Sequence, residues 1–455
     1  MEILGVSLAA WMSILALVVV IVLSAIKPRL HVGFLSIALA IVVGAVFLDL
    51  SADTVVAGFP VRLFMILVGV TFLFSMAQVN GTLEKLTAYA VRSIRGNLLL
   101  LPVLIYVLTL ALTTIGPGNI AAVALLAPFV MAIAGRVKMP AFAMTILVVG
   151  AANSAAFSPF APTGIVSHGL IAEMETALPG LFDSASPQAI DWKIYLNSVV
   201  AQGIVVIPGF LVFGGLAWLR RHRGTTNDVG MVAAAPEPFT RHQWATVGSI
   251  VALILLVVVP ALPGVREWVP DWILHISANV GTVAFLLGAI LMLLGAADSR
   301  EAVAAMPWFV IMIIGGVTIL IGVMARAGGL DAMTTAIASF SGPTSVHFWL
   351  GLVTGVISAY SSSSAVVMPA FLPLVPGLTE LIPGADPVAM ISSVNVGSHL
   401  VDASPLSTLG ALCIACAAAT GEDTTKLFRA LLAWGLSMAV VGGVICLVFF
   451  GVLGF

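Results

Sequence analysis

Two polar breaks, GPGN at residues 116–119 and YSSSS at 360–364, interrupt apolar sequence and leave short apolar arms on either side. The arms cover 98–115 and 120–134 around the first break, and 346–359 and 365–375 around the second. At 1.5 Å rise per residue, arms of about 11 to 18 residues reach roughly 16 to 27 Å, less than the roughly 30 Å hydrocarbon core of a bilayer. Both breaks are therefore predicted at mid-membrane depth. Non-helical backbone persists there only where protein buries it or where it lines a wet cavity. Two such breaks imply a solvated site between them, the layout of a transporter.

The surrounding composition supports this placement. Of 455 residues, 61% are hydrophobic and 8% charged, and the mean hydropathy is +1.18. A chain of this kind is a polytopic membrane protein rather than a soluble domain, with the lipid bilayer as its first partner. The net charge of -2 offers no bulk attraction to nucleic acid. Three cysteines provide no disulfide framework, and the single C-x-x-C, Cys413 and Cys416, has no second pair to complete a metal site. The first apolar run has Glu2 before it and Lys27 and Arg29 after it, the reverse of a signal peptide, so it is expected to stay as an N-out anchor.

Ten apolar runs read as spans: 6–26, 32–50, 60–79, 141–157 and 194–219 in the first half, and 245–262, 277–295, 307–325, 388–401 and 430–450 in the second. The fourth of each half continues beyond a polar break, into 165–171 and 410–419. The halves read as copies. An offset of 247 superimposes Pro60 on Pro307, Met65 on Met312, Gly69 on Gly316, Thr71 on Thr318 and Gly81 on Gly328. At 245, Asn119 falls on Ser364, and at 246 Ser158-Pro159 falls on Ser404-Pro405. Five spans is an odd number, so the second copy must insert upside down. The expected fold is all-α and polytopic, an inverted repeat of two five-span halves, each with a re-entrant helical hairpin and a broken helix.

Charge fixes the orientation. With the N-terminus outside, only Arg62, Lys193, Arg266 and Arg326 of the 18 Lys and Arg residues face outward. This gives a first repeat (1–220) whose hairpin (97–135) enters from the cytoplasm, a cytoplasmic linker (221–243), and a second repeat (244–455) whose hairpin (345–376) enters from outside. Both termini are then outside, in a bacterial-type inner membrane. Residues 83–95 read as an amphipathic helix on the inner surface, and 221–241 as a flexible linker.

The first tip frees backbone groups at Gly116, Pro117 and Gly118, and Asn119 opens the returning arm. A helix N-terminus attracts a carboxylate, while exposed carbonyls and a side-chain oxygen suit a hard cation, so Na⁺ is expected at Asn119 and Ser364. Ser361, Ser362, Ser363 and Ser364 offer the same functions at the second tip. The competing reading is that both tips only permit tight turns. Asn153, Ser158, Pro159 and Thr163 interrupt one broken span, and Asn395, Ser404, Pro405 and Thr408 the other. Proline and hydroxyl residues unwind a helix and re-satisfy it with side-chain oxygens. They read as the opposite walls of the substrate site, or else as simple kinks. His399 and Asp402 lie three apart, on one helix face. An ionisable residue in a span costs about 2.5 to 3.5 kcal/mol to insert and by default marks a pathway or coupling site. With Asn153 and Asn395 they are the candidate ion-coupling residues; the alternative is a structural pair that fixes the helix break. His168 and His347 are placed near the interface.

The segment from Gly58 through Gly169, with AGFP, VTFLF, AQVNGT and the GPGN-I-AAVALLAP hairpin, resembles the MatC-type malonate/dicarboxylate carriers. These belong to the ion transporter superfamily that also holds the divalent anion/sodium symporters. In the symporters each hairpin tip carries a Ser-Asn-Thr motif that binds a carboxylate and a Na⁺. Here Gly118-Asn119-Ile120 and Ser363-Ser364-Ala365 take those places, so Asn119 alone is retained in full. Asp191-Trp192-Lys193 is also similar to that family. The resemblance implies a homodimer and a small dicarboxylate substrate.

The expected protein is thus a secondary active transporter of a small dicarboxylate, malonate or a C4 acid, coupled to Na⁺ or H⁺ by alternating access and needing no other cofactor. Hairpins and broken spans would move against a scaffold of the first and third spans. Rivals on the same scaffold are a cation/proton antiporter, an oxyanion efflux protein, or the membrane subunit of a binding-protein-dependent importer. An intramembrane hydrolase using Ser364 and His399 is disfavoured, because the chain has no G-x-S-x-G and no evident oxyanion hole.

Overall fold

The computed structural model describes residues 2–3, 6–27, 30–92, 98–182, 186–222, 237–261, 268–277, 279–418 and 420–455. A two-residue antiparallel strand pair, Glu2–Ile3 with Val6–Ser7, precedes an otherwise helical chain. The first half runs α1 (Leu8–Ile26), α2 (Val32–Phe47), α3 (Ala52–Val56), α4 (Val61–Val79) and α5 (Thr82–Arg92). The first hairpin follows, α6 (Leu101–Ile115) and α7 (Gly118–Arg136), then the broken span α8 (Ala141–Ser154) and α9 (Pro162–Ala177). α10 (Pro187–Phe210) continues through a π-helical turn into α11 (Leu216–Arg221).

The second half runs α12 (Arg241–Val258), α13 (Asp271–Ser277), α14 (Val280–Leu293), α15 (Ser299–Ala305), α16 (Trp308–Arg326) and α17 (Gly329–Ser339). α18 (Ser345–Ser358) begins the second hairpin, whose returning arm consists of a π turn (Ser363–Val367), α19 (Met368–Phe371), a 3-10 turn and α20 (Val375–Leu381). The second broken span is α21 (Pro387–Leu400), a 3-10 turn (Val401–Ala403) and α22 (Thr408–Ala418); α23 (Thr424–Cys446) follows. Among the described residues, eight helices are long and apolar enough to cross a membrane, and shorter apolar helices, α1, α2, α6, α8 and α18 among them, accompany them.

Elements recur at the sequence offsets. α4 and α16 have equal lengths 247 positions apart, as do α5 and α17; α8 and α21 have equal lengths 246 apart. The contacts between halves are exchanged in the same way. An added Cβ at Gly316 of α16 would lie 2.1 Å from the Gly33 carbonyl of α2, and one at Gly69 of α4 would lie 2.5 Å from the Gly281 carbonyl of α14. Each pair maps onto the other under the repeat. Glycine is required at these crossings because backbone meets backbone. Contacts of Gly281 with Ile66 and of Gly288 with Phe72 advance together along α4 and α14, so those helices run parallel. His31 against Phe309, followed by Gly33 against Gly316, gives the same sense for α2 and α16. Parallel pairing between opposite members of each half is consistent with an inverted repeat.

Several sequence expectations shift. The returning hairpin arms are longer than 120–134 and 365–375: Gly118–Arg136 and Ser363–Leu381 have 19 residues each, about 28 Å if fully α-helical. Arm length alone therefore does not hold the tips at mid-depth. α17, the counterpart of the amphipathic α5, was not read from the sequence. Of the 83–95 helix, residues 93–95 lie outside the described residues, as do 223–236 of the linker and Arg29, Arg95, Asp183, Arg223 and Arg266. The described end of the linker is tied down: Lys85 Nζ donates to the Pro238 carbonyl (3.0 Å) and to Gln243 Oε1 (2.9 Å), and Tyr89 stacks on Phe239. α12 starts at Arg241 because Thr240 and Gln243 form a capping box.

The buried apolar side chains form two clusters. One joins α1, α2, α4, α14 and α16 with α9 and the returning arm of the second hairpin. The other joins the first hairpin with α8, α10, α22 and α23. The expected division into hairpins and scaffold is therefore not symmetrical in packing: Val366, Met368, Phe371 and Val375 carry the second hairpin's arm into the scaffold cluster.

Candidate functional site

Each hairpin tip is shaped by residues that allow close approach. α6 ends at Gly116 with φ 143°, and Gly118 opens α7 with φ 86°, conformations that L side chains rarely adopt. An added Cβ at Gly116 would lie 2.1 Å from the Phe74 ring of α4, and one at Gly118 would lie 2.9 Å from Pro162 of α9. The first tip is thus wedged between a scaffold helix and the second half of the broken span. Gly116→Ala is expected to destabilise the fold by about 1 to 3 kcal/mol, from backbone strain and overpacking. The check is a lowered unfolding midpoint in detergent; an unchanged midpoint would mean the tip relaxes freely. At the second tip Ser362 Oγ accepts from the Ala365 amide (3.2 Å) and starts the returning arm.

Four helix N-termini converge on these tips: α7, α9, the π turn at Ser363, and α22. They border two cavities. The first, about 240 Å³, is lined by Thr71, Phe74, Ser75 and Gln78 of α4, by residues 116–121, by Pro162 and Thr163, by Pro307 and Val310 of α16, and by Ser364. The second, about 200 Å³, is lined by Ser24, Phe309, Tyr360, Ser361, Ser362, Ser363, Ser364, Asp402, Ser407 and Thr408. Asn119, Ile120 and Ser364 belong to both walls, so the two tips meet. Both cavities extend past the C-terminal end of α1 or α4 and the N-terminal end of α16, hence toward one face of the molecule.

Among the described residues, no Lys, Arg or His lines either cavity. Positive potential there comes from first-turn N–H groups, such as those of Gly118 and Asn119, which their own helix cannot satisfy. The ionisable groups on the walls are the Tyr360 phenol and the Asp402 carboxyl, and Asp402 is 6% exposed. Asp402 Oδ1 accepts from Ser363 Oγ (2.7 Å), which also shares a hydrogen bond with Ser358 Oγ (2.6 Å), and Oδ2 accepts from Asn153 Nδ2 (3.4 Å). Asn119 Nδ2 donates to Asn153 Oδ1 (2.9 Å), and Asn119 Oδ1 accepts from the Ile120 amide (2.9 Å).

Of the residues expected at the site, Gly118, Asn119, Thr163, Ser361, Ser362, Ser363, Ser364, Thr408 and Asp402 line a cavity. Others are placed elsewhere. Ser158 is fully buried and donates to the Thr114 carbonyl (2.7 Å), anchoring the first hairpin's arm. Pro159 borders a separate cavity beside Arg62, His168 and Asp191. Ser404 and Pro405 line neither cavity; the Ser404 hydroxyl accepts from the Leu406 amide, and Gly435 packs against its Cβ. Asn395 donates to Ser167 on α9. His399 turns away from Asp402: Nδ1 bonds the Asn395 carbonyl (2.9 Å) and the ring edge meets Phe157. A turn of helix places two residues on one face without fixing where each side chain points, so the i, i+3 spacing brought no pair together.

His347 starts α18, buried, and bonds Ser393 (3.0 Å), while His168 bonds Asp191 (2.8 Å). Trp192 packs on Phe160 and Tyr195, and Lys193 pairs with Asp386 at 3.6 Å, so Asp191-Trp192-Lys193 braces the start of α10 and lines neither tip cavity. Sequence reasoning missed Thr71, Ser75 and Gln78. Their i, i+4, i+7 spacing within an apolar span was the available signal.

Residues 8–156 match the family model described as "Dicarboxylate carrier protein MatC N-terminus". That stretch includes the first hairpin and α8 and stops before the second repeat. No curated protein matches. Over nearly the whole chain the fold is similar to the solved YdaH transporter of Alcanivorax borkumensis, which is described as having an unusual topology. The TM-score is 0.59 and the identity 18%, covering 97% of this chain and 98% of that one. The latter similarity is one of fold.

Proposed function

We propose that this protein is a secondary carrier of a small dicarboxylate, malonate or a C4 acid, driven by one cation species, Na⁺ or H⁺. The observation that carries this reading is the convergence of four helix N-termini on two joined cavities whose described walls hold no basic side chain and one carboxylate, hydrogen-bonded but without an ion pair among the described residues. Two carboxylates of one substrate would each find amide N–H groups and hydroxyls, one at Asn119 and Thr163, the other at Ser364 and Thr408. The match to a dicarboxylate carrier model over the first hairpin supports the same substrate class.

The Asp402 charge supplies the reason for coupling. At an effective dielectric of 20, two unit charges 4 Å apart interact by about 4 kcal/mol. A substrate carboxylate in the second cavity therefore needs Asp402 neutralised, by a proton or by a Na⁺ held with the Ser364 hydroxyl. Positive-inside reasoning assigns the open face of both cavities to the cytoplasm, which makes this conformation inward-facing, with both termini outside an inner membrane. A homodimer follows from the resemblance to MatC-type carriers.

The test is uptake of labelled malonate and succinate into proteoliposomes, with a Na⁺ gradient and a pH gradient imposed separately. Saturable accumulation of at least one acid under one gradient is the expected result; no uptake under either would end the dicarboxylate reading. Asn119→Ala and Ser364→Ala are each expected to abolish uptake while the protein remains folded by size-exclusion chromatography. Normal uptake by both would remove the tips from the mechanism. The absence of a cationic partner for Asp402 among the described residues also suits a cation/proton antiporter. In that case ion exchange would proceed unaffected by dicarboxylates.

A further inference from the structure

We propose that Asn153 is the positioning residue through which cation occupancy at Asp402 controls the first hairpin tip. This rests on Asp402 being the coupling acid of the carrier described above. Asn153 ends α8, is 1% exposed, and lines neither cavity. Its side-chain amide nevertheless joins the two hairpins: Oδ1 accepts from Asn119 Nδ2 at 2.9 Å, and Nδ2 donates to the His399 carbonyl at 2.9 Å and to Asp402 Oδ2 at 3.4 Å. Ser363 Oγ completes the path on the other carboxylate oxygen. The amide orientation is fixed by its partners, because the His399 carbonyl only accepts. The Asn153 main chain is held as well, its carbonyl accepting from Gln202 Nε2 at 3.0 Å. The repeat-equivalent residue, His399, bonds within its own helix instead, so the bridge exists once.

The bonds set the direction of the effect. With Asp402 ionised and empty, it accepts from Asn153, Asn153 holds Asn119, and Asn119 Oδ1 occupies the Ile120 N–H at the mouth of α7. The Asn119 oxygen thereby takes a donor that a substrate carboxylate would use. Protonation, or a Na⁺ on the cavity side of the carboxylate, weakens Asp402 as an acceptor. The 3.4 Å bond is the longest in the path and the first to be lost. Asn153 Nδ2 then keeps its His399 carbonyl bond alone, so its side chain holds Asn119 less rigidly and the Ile120 N–H is freed more readily; the cation thus favours the anion and, by linkage, the anion favours the cation.

The titratable groups on elements packed around the Val401–Ala403 turn are His399 on α21, Cys413 and Cys416 on α22, Lys426, Arg429 and Cys446 on α23, and His347 on α18, and Tyr360 of the second tip shares the cavity wall with Asp402. None hydrogen-bonds or ion-pairs with Asp402 among the described residues.

The test needs no substrate. Hydrogen exchange of the 116–124 segment is followed by mass spectrometry in the intact protein, in nanodiscs, across a Na⁺ titration and a pH titration. In the wild type one titration is expected to change exchange of this segment by about fivefold or more, the scale of ordinary site-to-site coupling. Asn153→Ala is expected to flatten that response, Asn153→Gln to recover part of it, and Asp402→Asn to hold the segment in its cation-loaded state throughout. A full response in Asn153→Ala, or no response in the wild type, overturns the proposal. Should Asn153→Ala fail to fold, Asn153→Ser is read in the same way. Failure of dicarboxylate uptake would sink the carrier reading and leave this result standing.

Discussion

Replacing Asp402 by Asn is expected to leave a carrier that exchanges substrate across a membrane but cannot concentrate it. The amide nearly matches the carboxyl in size and keeps an acceptor for Ser363 Oγ, which lies 2.7 Å from the native oxygen. It removes the one acidic side chain that the described residues place on the cavity walls. Without that charge the substrate carboxylate meets no repulsion and the cation has no anchor, so the two fluxes separate. Gradient-driven accumulation in proteoliposomes is expected to fall at least about 100-fold, equivalent to about 2.7 kcal/mol, while counterflow of labelled against unlabelled dicarboxylate continues. Undiminished accumulation would show that Asp402 is not the coupling site. Asp402→Ala is expected to lose counterflow too. It leaves the buried donors of Ser363 and Asn153 without their shared acceptor, and an unsatisfied buried group costs about 1 to 3 kcal/mol.

The second large effect concerns folding. Gly316→Val is expected to yield little or no folded protein, because its Cβ would enter within 2.1 Å of the Gly33 carbonyl, and no rotamer change relieves a clash with main chain. Overpacking of a core costs about 1 to 3 kcal/mol and occasionally more, and here two whole helices must part. Gly322→Ala on the same helix is the control: an added Cβ there meets nothing within 4 Å. Alanine should be neutral or slightly favourable at a helix interior. Expression and monodispersity in detergent, compared for the two variants, decide the matter. A folded, monodisperse Gly316→Val protein would show that the α2–α16 crossing yields to a side chain.

The sequence carried its information unevenly along the chain. Caps and N1 prolines mark helix starts that apolar runs alone do not, Ser186 and Pro187 at α10 and Asp386 and Pro387 at α21. α10 was nevertheless read from residue 194, because Asp191 and Lys193 broke the apolar run. The broken spans were visible as Pro and Ser within apolar sequence. Their packing was not, since Gly164 sits within 2.0 Å of the Ser158 carbonyl, measured from an added Cβ, and Gly410 repeats the contact with Ser404. That self-contact turns Ser158 and Ser404 into braces of the break, away from the cavities. The Thr71, Ser75 and Gln78 stripe went unread because three polar residues do little to lower the hydropathy of a 19-residue helix.

What the sequence determined by itself was a polytopic helical chain, its two polar breaks, and the matching order of elements in its halves. Hydropathy, cap residues and repeated spacing are local properties and survive without a third dimension. Only the tertiary structure decided which polar residues meet. Asn119, Asn153, Asp402 and Ser363 come from four separate segments, and three hydrogen bonds join them. His399, three residues from Asp402, is turned away. Nearness along a chain constrains the backbone, whereas the direction of a side chain in a dense interior is set by the helices packed around it.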